Sequence, residues 1–522
     1  MQLFNTEAGR KETFQPLGDV VKMYVCGLTP KNEPHLGHAR LFAVNDTVRR
    51  YLEYRGYAVR YIQNFTDIDD KIIAAGQRDG IPPFEAAKRY TDAYFQVMGR
   101  LGIRPADEFT FVTQYIPQII EMVARLIERG HAYEVEGDVF FAVPSFPAYG
   151  RLSGRDEKAM RAGARVEEDV RKRDPRDFAL WKSAKPGEPW WDSPWGHGRP
   201  GWHIECSTMA MHALGEQIDI HGGGSDLIFP HHENEIAQTE SFTGKTPFVR
   251  FWLHTGMLSL PSDEGGEAAP QEDLEAEAEA ETIASEEGEG PDGLARSTQK
   301  MAHSGAFVTI ASVLAAGDIP PMALRTYLLG QQYRANLLYS EEQLRASVVR
   351  WRRWAETAAN LLRLSAWAET EQPRGAGASA GSATLKRLDA ARNEFIAAMD
   401  DDLNTSRALG VIDELVHRVN EQANGLRAET VAPETAPTLR AAHAMLTELA
   451  GAVGIALDET ETASDGLTAE QRVEIDELVR LRDEARARRD WTESDRIRNE
   501  LDQRYHVTVK DTPQGAVWSV KE

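Results

Sequence analysis

The chain has 522 residues, a formal net charge of −23 and aromatic side chains at 8% of positions, which excludes a broadly disordered protein and predicts roughly two to four domains. No run of about 18 apolar residues occurs, and the first residues lack the apolar core of a signal peptide, so we expect neither a membrane span nor secretion. With only two cysteines, no disulfide framework can form, and the composition indicates a cytoplasmic enzyme.

The N-terminal residues predict an α/β fold. An apolar, β-branched segment at 20–26 is followed by a loop that contains Gly27 and then by a helical pattern that ends at Gly56. A second β-like segment at 57–62 completes a βαβ unit, whose ligand loop lies at the carboxyl end of the first strand. We expect mostly helix over 85–130, an insertion over about 133–200, and a catalytic domain over 1–330.

An acidic segment interrupts this domain. Between Asp263 and Asp292 the sequence has thirteen acidic and no basic residues, which leaves a charge of −10 for the rest of the chain. Like charges at this density repel one another and bury no core, so we expect a disordered insertion over about 262–298. It is either a solvated loop without a specific partner or a segment with a regulatory or electrostatic role.

The C-terminal part has helical periodicity almost throughout. The pattern predicts a helical bundle over 331–460, interrupted by a flexible Gly/Ala/Ser connector at 375–383. The last unit, 468–522, combines a charged helical pair with two β-like segments at 507–509 and 517–520.

Both cysteines lie in dense motifs. Cys26 follows the first predicted strand, and Cys206 lies in Gly-Trp-His-Ile-Glu-Cys. His231 and Glu235 are four residues apart, hence on one face of a helix, where they can share a metal. Two thiols, an imidazole and a carboxylate can fill the four positions of a tetrahedral zinc, if the distant strand ends that carry the cysteines converge. Buried apolar cysteines and a satisfied polar helix face are the alternative interpretation.

Two histidines flank a glycine at the predicted helix start. Imidazole N–H groups and the amino end of the helix suit a polyphosphate, and Gly37 between His35 and His38 lets a flat base approach the backbone. Alone, this pattern is equally typical of a packed helix start.

The stretch from Met23 to Arg40 resembles the signature region of the cysteinyl-tRNA synthetases, a class I aminoacyl-tRNA synthetase family. Five further blocks match the family. In the catalytic region they are Asn-Phe-Thr-Asp-Ile-Asp-Asp-Lys-Ile-Ile at 64–73, the Cys206 motif at 201–207 and Gly-Gly-Gly-Ser-Asp-Leu-Ile-Phe-Pro-His-His-Glu-Asn-Glu at 222–235. Towards the C-terminus they are Asp-Asp-Asp-Leu-Asn-Thr at 400–405 and Asp-Thr-Pro-Gln-Gly at 511–515. The resemblance implies a Rossmann-like catalytic domain with an inserted connective domain, followed by an α-helical anticodon-binding bundle and a small C-terminal α+β unit.

The same resemblance implies the roles of single residues. It makes Cys26, Cys206, His231 and Glu235 the ligands of one zinc ion, whose further position accepts the cysteine thiol as a thiolate and disfavours serine. His203 and His232 would orient these ligands. We expect His35, His38 and Lys300 to be catalytic, and Gly27, Thr29, His35, Gly37, His38, Lys300 and His303 to bind ATP with Mg²⁺. We expect Thr66 and Asp226 to hold the substrate ammonium and Trp202 to form a wall of the pocket. A turn-stabilising hydroxyl, an N-cap carboxylate and a core aromatic residue are the alternative interpretations of these three side chains.

One motif departs from the family pattern. The family's loop reads Lys-Met-Ser-Lys-Ser-Leu-Gly-Asn, whereas this chain has Lys300-Met301-Ala302-His303 and a loop one residue shorter. The second lysine normally faces the pyrophosphate in the transition state, where a positioned cation stabilises developing charge. Histidine is largely neutral near its ordinary pKa of about 6.5, so it is a weaker substitute.

We therefore expect a cysteine–tRNA ligase that acts as a monomer and binds L-cysteine, ATP and cysteine tRNA. Arg480, Arg482, Arg486, Arg488 and Arg489 are candidates for gripping the anticodon arm, or for ion pairs on a solvated helix face. Two alternatives are a non-catalytic tRNA-binding paralogue, suggested by the altered loop, and a mycothiol-type ligase of cysteine to an amino sugar, which would not need residues 385–522. A zinc protease is disfavoured because Ile236 stands where His-Glu-x-x-His needs its second histidine.

Overall fold

The computed structural model describes residues 1–155, 170–261, 308–315, 317–370, 381–424, 426, 431–458, 469–488, 490–505, 507–512 and 515–520. The predicted acidic insertion and most of the predicted connector at 375–383 lie outside these residues. The strands, in chain order, are β1 (Gln2–Asn5), β2 (Arg10–Thr13), β3 (Val20–Leu28), β4 (Ala58–Phe65), β5 (Glu108–Phe111), β6 (Ala132–Val135), β7 (Asp138–Phe141), β8 (Phe178–Ser183), β9 (Gly198–Pro200), β10 (Ile218–Gly224), β11 (Val249–Thr255), β12 (Leu258–Ser259), β13 (Leu337–Leu338), β14 (Val507–Thr512) and β15 (Gly515–Val520).

The helices, again in chain order, are α1 (Leu36–Tyr54), α2 (Asp70–Asp79), α3 (Pro83–Arg100), α4 (Ile116–Glu128), α5 (Trp202–Leu214), α6 (Glu233–Thr243), α7 (Ile310–Ala315), α8 (Pro321–Leu328), α9 (Glu341–Thr370), α10 (Gly381–Met399), α11 (Thr405–Ala423), α12 (Ala436–Ala452), α13 (Ala469–Ala487) and α14 (Trp491–Tyr505). Within the described residues, no helix is long and apolar enough to cross a membrane.

A parallel five-stranded sheet with the order β11-β10-β3-β4-β5 forms the centre of the first compact unit, which comprises Met1–Glu356, Leu385–Arg418 and Ala444–Leu457. Because all strands run the same way, their carboxyl ends meet at one edge, where α/β proteins bind ligands. The predicted Rossmann-like class is confirmed. The expectation of mostly helix over 85–130 was incomplete, because β5 lies between α3 and α4 and forms the sheet edge.

The region predicted as an insertion contains an antiparallel sheet of four strands, β6-β7-β8-β9. Leu180 and Trp181 of β8 are fully buried and share one apolar core with residues of α4 and α5. The short β9 runs through Gly201 into α5, so the inserted sheet directly precedes a helix of the candidate site.

The second compact unit comprises Thr357–Thr384, Val419–His443 and Asp458–Glu522. Its C-terminal part packs α13 and α14 with the β14–β15 hairpin around Ile475, Ile497 and Leu501, as the charged helical pair and the two β-like segments predicted. Arg482 is buried, which removes it from the predicted surface contacts, and Arg489 lies outside the described residues. The predicted domain bounds stay predictions.

Candidate metal and nucleotide site

Two cysteines from distant parts of the chain converge at the carboxyl edge of the sheet. Cys26 lies near the end of β3, and Cys206 lies on α5, not at a strand end as predicted. Their Sγ atoms are 3.5 Å apart, and Cys26 Sγ is 3.6 Å from Glu235 Oε1. Donor atoms of Cys26, Cys206, His231 and Glu235 all lie within 4.8 Å of one another, and all four residues are buried. The structure thus brings together all four predicted metal ligands.

The His231–Glu235 pair forms although only one partner lies on a regular helix. His231 lies in a π-helical turn, Ile228–His232, that contains the non-helical Phe229 and runs into α6, on which Glu235 lies. The prediction that both residues share one face of a helix was therefore wrong in detail. The turn still places His231 Nε2 3.2 Å from Glu235 Oε1.

The titratable side chains of this cluster shift one another's pKa values. A hydrogen bond from the Cys26 thiol lowers the pKa of Cys206 to about 6. Burial alone would raise the pKa of Glu235, but the neighbouring His221 and His231 lower it to about 2. Burial and the adjacent Cys206 raise the pKa of Cys26 well above its ordinary value. Burial alone would lower the pKa of His231, but Cys206 and Glu235 raise it to about 10. Without a metal, the anionic Cys206 and Glu235 are therefore balanced by a protonated His231, and a metal bound here would take the place of that proton.

Buried histidines and the half-buried His203 surround the cluster. His203 Nδ1 is 2.9 Å from His231 Nδ1, which agrees with the expected orienting role of His203. His221 Nε2 is 3.0 Å from Glu235 Oε2, and His232 Nδ1 is 2.8 Å from His254 Nε2. Cys26, His221, His232 and Glu235 form a second, overlapping set of potential metal ligands.

The sequence analysis missed His221 and His254. His221 lies in the middle of β10, directly before the glycine run, and His254 lies near the carboxyl end of the adjacent β11, with Gly223 paired to His254 in the register. A histidine beside the glycine run and a histidine near a strand end were a usable signal, because strand carboxyl ends form the ligand edge of such sheets.

The two histidines of the nucleotide motif lie at the amino end of α1. His35 is the N-cap residue, and its side chain accepts a hydrogen bond from the Gly37 N–H at 3.1 Å. The rings of His35 and His38 stack with centroids 3.7 Å apart. Burial and the adjacent His35 lower the pKa of His38 well below its ordinary value, so His38 is neutral. The two histidines therefore do cap the start of a packed helix. This role does not exclude phosphate binding, because a neutral imidazole ring can still donate one N–H.

Glycine at position 27 allows β3 and β4 to approach closely. A Cβ added there would lie 1.6 Å from the Asn64 carbonyl oxygen, and the Gly27 N–H donates to Asn64 Oδ1 at 2.8 Å. Thr29 follows in the same loop and is half-buried, and its carbonyl accepts from the Lys31 N–H at 2.9 Å. This loop therefore exposes backbone next to the amino end of α1.

Residues 308–310 also meet the nucleotide motif. His35 forms a β-bridge with Thr309, and the Ile310 N–H donates to the Pro34 carbonyl at 3.0 Å. Lys300 and His303, predicted to bind ATP, lie outside the described residues, so only the segment that follows their loop is placed beside His35.

The three predicted substrate residues lie on different elements, and one of them contacts a ligand of the metal cluster. Trp202 begins α5, and its ring centroid is 4.4 Å from that of His231. Thr66 is buried, and its hydroxyl donates to Glu205 Oε2 at 3.0 Å. Asp226 is half-buried in a short turn directly after β10. Glu205 was missed; burial and the nearby Cys206 raise its pKa well above the ordinary value.

Structural relatives share the class I synthetase fold. Methionyl-tRNA synthetase from Mycobacterium tuberculosis in complex with methionyl-adenylate has a TM-score of 0.58 at 16% identity, with 87% of this chain and 95% of that chain covered. A putative arginyl-tRNA synthetase from Campylobacter jejuni has a TM-score of 0.54 at 14% identity, covering 85% and 95%.

Sequence comparisons give the family. A family model described as the tRNA synthetases class I (C) catalytic domain matches residues 13–265, and a DALR domain model matches 394–458. A cysteine–tRNA ligase from Dehalococcoides mccartyi is 43% identical over the full length of both chains. One from Moorella thermoacetica is also 43% identical, with 99% of each chain covered. With its metal-ligand cluster and nucleotide motif at the edge of a parallel sheet, the chain belongs to the cysteine–tRNA ligase family of class I aminoacyl-tRNA synthetases.

Proposed function

We propose that this enzyme activates L-cysteine with ATP and transfers the cysteinyl group to the 3′ end of cysteine tRNA. The observation that carries this proposal is the convergence of Cys26, Cys206, His231 and Glu235, with Cys26 near the end of β3, the strand that precedes the nucleotide motif in the chain. An amino-acid thiol bound at this cluster would hold its carboxylate towards the nucleotide. The reaction forms cysteinyl-adenylate and pyrophosphate first, and then the aminoacyl ester of the terminal ribose.

The donor set fits zinc. Tetrahedral zinc with bonds of about 2.0–2.3 Å requires donor atoms roughly 3.3–3.8 Å apart. The Sγ–Sγ distance of 3.5 Å and the Cys26–Glu235 distance of 3.6 Å lie within this range, and the His231–Glu235 distance of 3.2 Å is slightly shorter. Bound there, zinc would supply a Lewis-acid position that prefers the cysteine thiolate over the serine hydroxyl. Of the two overlapping sets we assign the one with both thiols, because soft donors select zinc.

The chain's own residues perform the remaining work. Trp202 forms a wall next to His231, and Thr66 and Asp226 are the proposed partners of the substrate ammonium. His35, His38 and the amino end of α1 would bind phosphate oxygens of ATP, and Gly27, Thr29 and Gly37 would let the nucleotide approach the backbone. Lys300 and His303 would face the pyrophosphate, and Mg²⁺ would accompany ATP. Positioning and charge stabilisation suffice for this chemistry.

The location, oligomeric state and tRNA contacts of the enzyme are also part of this proposal. We assign a cytoplasmic location, a monomeric state and contact between the C-terminal helices and the anticodon arm. Arg480, Arg486 and Arg488 are the described arginines that retain this role.

The first test is charging of cysteine-specific tRNA with labelled cysteine, ATP and magnesium, alongside cysteine-dependent exchange of pyrophosphate into ATP. We expect both activities, with serine at least about 100-fold poorer than cysteine because an alcohol binds zinc weakly. Size-exclusion chromatography with light scattering measures the proposed monomer.

The alternatives give different results in the same assays. A non-catalytic paralogue would bind tRNA without cysteine-dependent exchange in zinc-replete protein. A mycothiol-type ligase would exchange pyrophosphate but charge no tRNA, and would transfer cysteine to an amino sugar instead. Exchange together with charging excludes both.

A further inference from the structure

An aromatic pair lies on the surface of the inserted sheet. The rings of Trp190 and His197 stack with centroids 3.6 Å apart and an angle of 9° between their planes. Trp190 is 49% exposed, although large aromatic side chains are normally well buried. Asp192 Oδ1 is 3.0 Å from His197 Nε2. This carboxylate therefore contacts the edge of the imidazole ring and not its face.

This pair is connected directly to the candidate site. The Trp191 N–H donates to the Gly198 carbonyl, so both ends of the loop that carries the pair are held at the start of β9. From His197 the chain runs through β9 to Trp202, which packs on His231. Five residues span at most about 18 Å, which limits the distance between His197 and Trp202.

A lysine lies next to Trp202, at the end of this segment. Lys71, near the amino end of α2, places its Nζ atom 5.6 Å from the centroid of the Trp202 ring. Within the described chain, no carboxylate forms an ion pair with Lys71, although the buried Asp69 experiences its charge. The neighbouring Lys182 and Arg199 share Asp70, and Arg199 also meets Glu188 at 3.5 Å. Lys71 is therefore the cation of this group available to an added anion.

We propose that Trp190, His197, Lys71 and Trp202 form an acceptor track that guides the unpaired 3′ end of tRNA to the metal cluster. Stacking platforms combined with cations along the backbone are the general mode of single-strand binding. Trp190 would stack an unpaired base, and Lys71 would contact a phosphate closer to the site. This inference rests on the proposed function, because a tRNA end has to reach the site only if aminoacyl transfer occurs there.

The aromatic end of the track is tested with Trp190→Leu, which keeps apolar bulk but removes the planar ring. In single-turnover transfer from preformed cysteinyl-adenylate, kcat/KM for tRNA should fall roughly 5- to 150-fold, the range that one base–aromatic stack contributes. Trp190→Phe retains a planar ring and should recover most of the rate. Pyrophosphate exchange, which needs no tRNA, should keep the rate and the KM for ATP of the unaltered protein.

The cationic end is tested through salt dependence. Lys71→Met should reduce the slope of log Kd for tRNA against log salt by about 0.7, the contribution of one phosphate contact on a single strand, while Lys71→Arg preserves the slope. A merely structural effect would change affinity without changing this slope. Lys88→Met is the matched control, because Lys88 is 75% exposed, pairs with Asp92 on α3 and is not on the track.

The outcomes separate the two proposals. If the unaltered protein neither exchanges pyrophosphate nor charges tRNA, the proposed function and the track are both overturned. If it does both and Trp190→Leu transfers at the unaltered rate, only the track is overturned. A raised KM for ATP in Trp190→Leu also overturns it, because the indole would then serve the nucleotide. If Lys71→Met leaves the slope of log Kd against log salt unchanged, Lys71 makes no phosphate contact and the cationic end of the track is overturned.

Discussion

At the scale of single residues, burial and proximity set the charge state of the metal cluster. Cys206 and Glu235 have lowered pKa values of about 6 and about 2, whereas the pKa of Cys26 is raised by burial and by Cys206. A second thiolate beside the first would be a repulsive, desolvated pair. A divalent cation relieves this repulsion and replaces the proton on His231, whose pKa Cys206 and Glu235 raise to about 10 although burial alone would lower it. Cation binding should therefore release protons from Cys26 and His231.

Replacing one ligand should reduce metal and substrate binding together. We expect Cys206→Ser to lower zinc affinity by more than about 100-fold and to raise the KM for cysteine in pyrophosphate exchange, because an alcohol is a poor zinc ligand. Elemental analysis and exchange kinetics measure the two effects. His212→Asn, at an exposed histidine on the same helix, is the control and should retain zinc. Full zinc content in Cys206→Ser would contradict the ligand assignment.

The altered lysine loop gives a second prediction at this scale. His303→Lys should raise the rate of adenylation, because a permanent cation stabilises charge that develops on the pyrophosphate better than a largely neutral imidazole. Lys300→Met should lower the rate, which serves as the opposite control. Pre-steady-state formation of cysteinyl-adenylate measures both. An unchanged or lower rate in His303→Lys would mean that another group already supplies this charge.

At the scale of elements, the contact between β3 and β4 shapes the nucleotide loop. The register of this pair shifts between Val25 and Leu28, and Gly27 lies at the shift, against the backbone of Asn64. The absence of a side chain at position 27 is therefore a requirement of strand packing as well as of ligand approach.

Adding one methyl group at this contact should separate the strands. We expect Gly27→Ala to reduce the free energy of unfolding by about 1–3 kcal/mol and to slow adenylation at least about tenfold, since the strand ends carry the loop. Denaturant unfolding and pyrophosphate exchange measure these effects. Gly99→Ala on α3, where a Cβ meets no described atom within 4 Å, should instead stabilise by about 0.5–1 kcal/mol. Normal exchange by Gly27→Ala would contradict the close-packing argument.

At the scale of the first compact unit, a buried ion pair connects distant segments. Arg325 of α8 donates to Asp46 of α1 at 2.5 Å and to the Val453 and Leu101 carbonyls, and both charged side chains are buried. Burial alone would raise the pKa of Asp46, but Arg325 and Arg50 lower it. Removing one partner leaves the other charge buried without compensation.

The pair should stabilise the unit in a pH-dependent way. Asp46→Asn is expected to cost about 3–5 kcal/mol at pH 7. Because the folded pKa of Asp46 is depressed, its contribution is complete above the unfolded pKa of about 3.9 and is lost as the pH falls through the folded value. Denaturant unfolding at pH 7 and below pH 4 should therefore show a difference that shrinks in acid. Asp92→Asn, in an exposed pair, should cost less than about 1 kcal/mol.

Local sequence was sufficient to predict many of the helices and strands and the residue types of the candidate metal ligands. The β-branched run before Cys26 predicted β3, and the glycine at 56 marked the end of α1, because local propensity and turn chemistry depend on neighbouring residues. The short β5 inside an apparently helical region was missed, since a strand of four residues at a sheet edge carries too little periodicity. His231 lies outside α6 for a similar reason: spacing alone does not reveal an irregular turn.

The sequence by itself determined the Rossmann-like class, the two cysteine motifs and the family, because these depend on residue types at fixed spacings. Only the tertiary structure decided that Cys26 and Cys206, 180 residues apart, meet at 3.5 Å. It likewise decided that His221 contacts Glu235, that His254 contacts His232 and that Glu205 accepts from Thr66. It also brought the Trp190–His197 pair to the start of β9, which leads into the site helix. Parallel strands and the helices that follow them bring distant residues to one edge, and that convergence depends on strand order, which no local pattern encodes.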